Sequence, residues 1–132
     1  MIISNYKYPP RIKEKTWGRE IIFSPVNAEY TGKILEFKEW FCSSNHFHLL
    51  KSEDWRILSG VFDIKFTENG VETRVRATQG DCFHIWPGLV HKVFCLEAGS
   101  IMEVSTKDYD SDNYRLDKSG SFSHHHDSNI SK

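Results

Sequence analysis

The chain has 132 residues, 39% hydrophobic and 14% aromatic, which is enough for one sizeable core and too little for a second domain. A formal net charge of −1 without a basic cluster excludes the electrostatic footprint of a nucleic-acid binder and leaves a small molecule as the expected partner. No apolar stretch reaches bilayer-spanning length, Met1 to Asn5 lack the basic start and apolar core of a secretion signal, and Cys42, Cys82 and Cys95 form no disulfide pattern, so no membrane role and a cytoplasmic location are expected.

In chain order, short apolar or alternating runs divided by Asn, Gly, Pro and Ser predict strands at 20–23, 30–40, 46–50, 55–66, 71–77, 82–86, 91–96 and 100–105. Asn69-Gly70 between two of these runs predicts a type I′ hairpin turn. A short helix is expected only at 111–116. Residues 1–118 read as a single domain, and the polar stretch 119–132, with His124, His125 and His126, as a disordered tail. The fold class is all-β, with strand number and spacing that favour a closed or sandwiched antiparallel barrel.

Four residues point to chemistry. Residues two apart in a strand share a face, so His46-Phe47-His48 puts both imidazoles on one side. After a turn through Leu50, Lys51 and Ser52, the next strand places Glu53, Trp55 and Ile57 on its buried side and Asp54 and Arg56 on the other. Pro87-Gly88 then reverses the chain just before His91. Together His46, His48, Glu53 and His91 make a shell of three nitrogens and one oxygen, suited to one divalent transition metal (Zn, Mn, Fe, Ni or Cu) rather than Mg or Ca. His84 has no partner at ligand spacing and reads as a hydrogen-bonded or surface residue. The histidines of the tail are set aside, since a disordered segment cannot hold a defined open site. Trp17, Trp40 and Trp86 read as packing residues, while Trp55 shares the face of Glu53 and is expected to wall the pocket.

The spacing from His46 to Gly60, His-x-His, four residues, Glu, six residues, Gly, resembles the first cupin motif, and Gly80 to His91 resembles the second. Lys15-Thr16-Trp17-Gly18, the segment 30–37 with Lys33, Leu58-Ser59-Gly60, Glu103-Val104-Ser105-Thr106 and Tyr114-Arg115-Leu116-Asp117 are similar to stretches of the type II phosphomannose isomerase cupin domain. The resemblance implies a cupin double-stranded β-helix, or jelly-roll barrel, that binds a metal and acts on a carbohydrate or sugar phosphate. It implies Lys33 and Arg115 as contacts to an anion, with Glu103, if it points inward, and Lys33 as the candidate catalytic groups; Lys51 offers a cation from a position different from the family's and Trp55 a wall, so these two join Arg115 as candidate substrate contacts. That family carries an arginine directly after its second histidine, where this chain has Leu49, so activity on mannose 6-phosphate is expected to be weak or absent. The alternatives are a metal-dependent oxygenase and a non-catalytic sugar-binding cupin. Phe47, Leu49, Phe94 and Leu96 fall opposite the ligands and need cover from the barrel or a second subunit, so a two-fold homodimer is expected.

Overall fold

A computed structural model of the chain describes residues 6–123. Eleven strands follow one another: β1 (Arg11–Lys15), β2 (Gly18–Ile22), β3 (Tyr30–Phe37), β4 (Phe41–Cys42), β5 (His46–Phe47), β6 (Glu53–Glu68), β7 (Val71–Thr78), β8 (Cys82–Ile85), β9 (Val90–Thr106), β10 (Tyr114–Arg115) and β11 (Gly120–Ser121). One 3-10 turn, Asp110–Asp112, is the sole helical element among the described residues. No helix there is long and apolar enough to cross a membrane.

The long strands β6 and β9 build two layers by bending. The first half of β6 pairs with the second half of β9, which continues through β3 to β2 and β1, and β8 flanks β6 on its other side. The second half of β6 pairs with the first half of β9 and with β7, while β4 and β5 join β9. The register shifts where the two halves meet, around Ile57 to Phe62. Gly60 sits there at φ 86, and a Cβ on it would stand 2.7 Å from the Glu97 carbonyl oxygen, so the bend requires glycine. Between the layers lies the core, with Ile57, Phe62, Ile64, Ala77, Val93, Cys95 and Ile101 at its centre. All three cysteines are free. The all-β jelly-roll class is therefore realised, down to Asn69 and Gly70, both at positive φ in the β6–β7 turn.

Several boundaries differ from expectation for local reasons. β1 carries three cations and one isoleucine at the edge of the sheet, where charge guards against edge pairing, so it shows no apolar alternation. The expected strands 91–96 and 100–105 are one strand, because Ala98-Gly99 passes against Ser59 and Gly60 without leaving the ladder. The expected strand 46–50 stops at Phe47, since the Asp112 carboxylate takes the backbone N–H groups of Leu49, Leu50 and Lys51. In place of a helix at 111–116, the turn Asp110–Asp112 leads into β10, where Tyr114 stacks on Phe47.

The described strands also run past residue 119. β11 pairs with β4, and Phe122 packs edge-on against Phe94 and Trp40, which gives this polar segment an apolar anchor. The chain thus covers Phe47 and Phe94 itself, and Leu96 is buried, while Leu49 stays exposed. The rest of the expected tail, including His124, His125 and His126, lies outside the described residues.

Candidate metal centre

Backbone pairing assembles the cluster. His46 on β5 is the direct cross-strand partner of His91 on β9, so their side chains share the inner face with ring centroids 4.3 Å apart. His48 follows two residues on, its ring 5.2 Å from that of His46 and 5.9 Å from that of His91. One ligand atom from each of the three histidines falls within 4.8 Å of the others, the separation a single ion can bridge. Glu53, at the start of β6, brings its Oε2 to 3.3 Å from His48 Nε2 and 3.9 Å from His91 Nε2.

The surrounding atoms fix which lone pairs face inward. The Nδ1 of His46 lies 2.8 Å from the Ser44 carbonyl oxygen, that of His48 2.9 Å from the Asp112 carbonyl oxygen, and that of His91 2.9 Å from the Leu89 carbonyl oxygen. Each Nδ1–H therefore donates outward, which leaves each Nε2 as an acceptor turned to the centre. Trp55 Nε1–H does the same for Glu53, donating to Oε1 at 2.7 Å and leaving Oε2 toward the histidines. His91 Nε2 and Glu53 Oε2 are buried without a hydrogen-bond partner, an arrangement that costs free energy unless something cationic completes it. Burial pushes all three imidazoles toward the neutral form: His46 well below its ordinary value, helped by the neighbouring His91, His48 lowered, with Lys51 adding to the effect, and His91 down to about 3. Neutral imidazoles bind metal without first losing a proton. The donor set fits a metal ion, with His46, His48 and His91 as the residues that could hold it and the Glu53 Oε2 next to two of them.

All the residues singled out from the sequence line one cavity of about 360 Å³: the four above together with Lys33, Lys51, Trp55, Glu103 and Arg115. Lys33, Glu103 and Trp55 form one cross-strand row over β3, β9 and β6. Their charges are mutually engaged. Lys51 Nζ lies 3.2 Å from Glu103, 3.5 Å from Asp108 and 3.8 Å from Glu53, and Lys33 Nζ lies 2.6 Å from Asp108 and 3.2 Å from Glu20. Burial alone would pull both ammonium groups down, yet these carboxylates outweigh it and hold both lysines raised. Burial, reinforced by Glu53, lifts the Glu103 carboxyl to about 7. Asp108 goes the other way, to about 2, because Lys51 and Lys33 outweigh its burial. Arg115 stands exposed on β10 at the cavity edge, with no carboxylate within ion-pair distance among the described residues. Leu49, in the place of the family's arginine, is 55% exposed and does not line the cavity. His84 pairs with Asp54 at 2.7 Å on the outer surface, away from the cluster.

Sequence reasoning misses Asp108, Asp112 and Glu20. Asp112, which falls in the short helix expected at 111–116, is 3% exposed, and its carboxylate clamps the turn that follows His48. Only the wish of Lys33 and Lys51 for counter-ions inside a barrel could have pointed there.

No protein-family model matches the chain, and no curated protein does. Solved structures do. A tryptophan-to-tyrosine variant of oxalate decarboxylase from Bacillus subtilis superposes with a TM-score of 0.72 at 15% identity, covering 81% of this chain and 30% of that one. The capsular polysaccharide assembling protein CapF from Staphylococcus aureus superposes with a TM-score of 0.72 at 20% identity, covering 86% of this chain and 33% of that one. A further oxalate decarboxylase structure, described by its Mn(II) centres, superposes with a TM-score of 0.71 at 16% identity, covering 81% of this chain and 30% of that one. The chain spans about a third of the length of these proteins, and the likeness is one of fold: a cupin barrel.

Proposed function

We propose that this metal-binding cupin is an enzyme of carbohydrate chemistry that moves a proton between neighbouring carbons of a sugar, as an aldose-ketose isomerase does. The observation that supports this reading is a buried carboxyl group, Glu103, pushed up to about 7 by burial and Glu53 and lining the same cavity as the three histidines and Glu53. His46, His48 and His91, with Glu53, would hold a divalent transition metal, and such a metal would supply polarisation of a carbonyl or hydroxyl oxygen. The remaining work belongs to side chains. Glu103 can take up or release a proton at neutral pH, and Lys51 Nζ at 3.2 Å stabilises its ionised form. Lys33, the cross-strand partner of Glu103, pairs with Asp108 and Glu20 and, with Lys51, offsets part of the rise that burial and Glu53 impose on the Glu103 carboxyl. Trp55 fixes the rotamer of Glu53.

The charge pattern speaks to the reacting end of the substrate. Lys33 and Lys51 face four carboxylates, Glu20, Glu53, Glu103 and Asp108, so neither ammonium group is available to bind an incoming anion. A ligand made of neutral hydroxyl and carbonyl oxygens suits such a cavity better than a small dicarboxylate of the kind that the structurally similar oxalate decarboxylase is named for. Any anionic group would be met only at the cavity edge, by Arg115 on β10, because Leu49 stands where the family has its arginine and does not line the cavity. Mannose 6-phosphate is accordingly a poor substrate in this account. We also propose a two-fold homodimer, which would cover exposed apolar side chains such as Leu49, Trp86 and Val104. Light scattering that gives the mass of one chain at micromolar concentration would count against it.

The test is a panel of aldoses, ketoses, their phosphates and keto sugars linked to nucleoside diphosphates, incubated with metal-loaded protein in D2O and followed by NMR for deuterium at the carbon beside the carbonyl. At least one sugar should exchange, and Glu103→Gln should slow that exchange by about 10² to 10⁴ while leaving metal content unchanged. Absence of exchange across the panel, or oxygen consumption by the Fe(II)-loaded protein, would overturn the isomerase reading.

A further inference from the structure

The inner face of the β1–β2–β3 ribbon continues beyond the metal cavity. A second cavity of about 470 Å³ follows it, and the two share one wall: Glu20, Lys33 and Asp108 line both. The chemistry on the far side of that wall is different. Glu20 and Asp108 are spent on Lys33 and Lys51, so the remaining charges of the second cavity are Arg11, Lys13 and Lys107 against Asp110 alone. Asp110 is almost fully solvated and reaches only Lys13, at 3.6 Å. Arg11 and Lys107 have no carboxylate within ion-pair distance among the described residues; Arg11 donates to the Ser24 carbonyl oxygen at 3.4 Å, and the Lys107 ammonium stands 5.8 Å from the Tyr109 ring. Tyr30 and Tyr109, 61% and 45% exposed, line the same cavity and offer flat apolar faces.

The first cavity is thus internally neutralised and the second carries uncompensated positive charge beside two aromatic rings. We propose that the second cavity is a subsite for a phosphate-bearing extension of the ligand, so that the substrate is a sugar linked through its anomeric carbon to a nucleoside diphosphate and carrying its carbonyl on another ring carbon, rather than a free sugar or a sugar monophosphate. Arg11, Lys13 and Lys107 meet the diphosphate, and Tyr30 and Tyr109 take the base by stacking. The neutral sugar end enters the metal cavity across the Lys33 wall. Two cavities that abut at one ion cluster give such a bipartite ligand a continuous surface, and the division of charge between them assigns its neutral end to one and its anionic end to the other.

This inference rests on the carbohydrate reading of the metal cavity for the sugar part, but the nucleotide part can be tested without it. Calorimetric titrations would use the uridine, guanosine, adenosine and thymidine diphosphates as probes, with wild-type protein, Arg11→Glu/Lys107→Glu, Tyr109→Ala and His91→Ala. At least one diphosphate should bind the wild type, lose at least tenfold in affinity in the double charge reversal, lose severalfold in Tyr109→Ala, and bind His91→Ala within threefold of wild type. Circular dichroism spectra that superpose with wild type show that the surface variants are folded. Failure of all four diphosphates to bind, or binding unaffected by both the charge reversal and Tyr109→Ala, overturns the proposal. Binding lost only in His91→Ala would mean that the diphosphate chelates the metal, which also overturns it. Failure of the sugar panel with diphosphate binding intact would count against the isomerase reading and leave the subsite standing.

Discussion

The two ends of the barrel follow opposite rules. Around the β6–β7 hairpin, Phe62, Ile64 and Ala77 are fully buried and the turn residues Asn69 and Gly70 take the positive φ their types tolerate. Apart from Asp63, a buried carboxylate that Arg76 pairs across the hairpin, the local preferences there agree with the fold. At the other end, Lys33, Lys51, Glu53, Glu103 and Asp112 are buried to 5% exposure or less, where polar groups cost free energy unless partnered. The hairpin end holds the barrel together; the cavity end draws on that stability to keep charges and bare imidazole nitrogens out of water.

Substitutions at the two ends should separate these roles. The largest effect is expected from Phe62→Ala, which leaves a cavity in the core and should cost about 3 to 5 kcal/mol in urea unfolding while leaving metal affinity within a few-fold of wild type. A large drop in metal affinity with that variant would mean that the two ends are coupled. Asp112→Ala at the cavity end should cost less, about 2 kcal/mol, because three backbone N–H groups lose their acceptor. It should also weaken metal binding about tenfold or more, since the same segment supplies the carbonyl that orients His48. Metal affinity unchanged in Asp112→Ala would show that the turn after His48 is held by other contacts.

Acid should act on the cavity end first. The folded-state value of Asp108 is depressed to about 2, below the unfolded value of about 3.9. Its contribution is therefore complete above the unfolded value and is lost as pH falls from about 4 to about 2, an effect on the order of 2 kcal/mol. Thermal melts of metal-free protein should lose stability over that window, and Asp108→Asn should flatten the curve there. A variant that follows the wild-type profile would remove Asp108 from the ion cluster's account. The smallest effect is expected at the hairpin: Asn69→Ala, forced to φ 52 without a side chain that tolerates it, should cost about 1 kcal/mol with no change in metal binding.

How far each end can be read from sequence follows from the same contrast. The alternation of Glu53, Trp55 and Ile57 with Asp54 and Arg56 marks a buried face because apolar neighbours on that phase leave Glu53 little choice. The His46-x-His48 spacing is legible because a strand has period two. Asp108, Asp112 and Glu20 are not, since their burial depends on partners distant in sequence: Asp112 meets Leu49 to Lys51 across more than sixty residues, and Asp108 meets Lys33 across 75. β1 and β11 escape for a related reason, as edge segments held by pairing and by one aromatic anchor, Phe122, rather than by their own pattern.

The central claim, that His46, His48 and His91 with Glu53 hold one divalent transition metal, is tested most directly by elemental analysis of protein ending at residue 123, so that His124, His125 and His126 cannot contribute. About one transition-metal ion per chain is expected, bound through nitrogen and oxygen at roughly 2.0 to 2.2 Å by X-ray absorption, and lost in His91→Ala with the circular dichroism spectrum unchanged. A wild-type protein that stays metal-free after incubation with Mn, Fe, Ni and Zn, or a His91→Ala variant that keeps its metal, would contradict it.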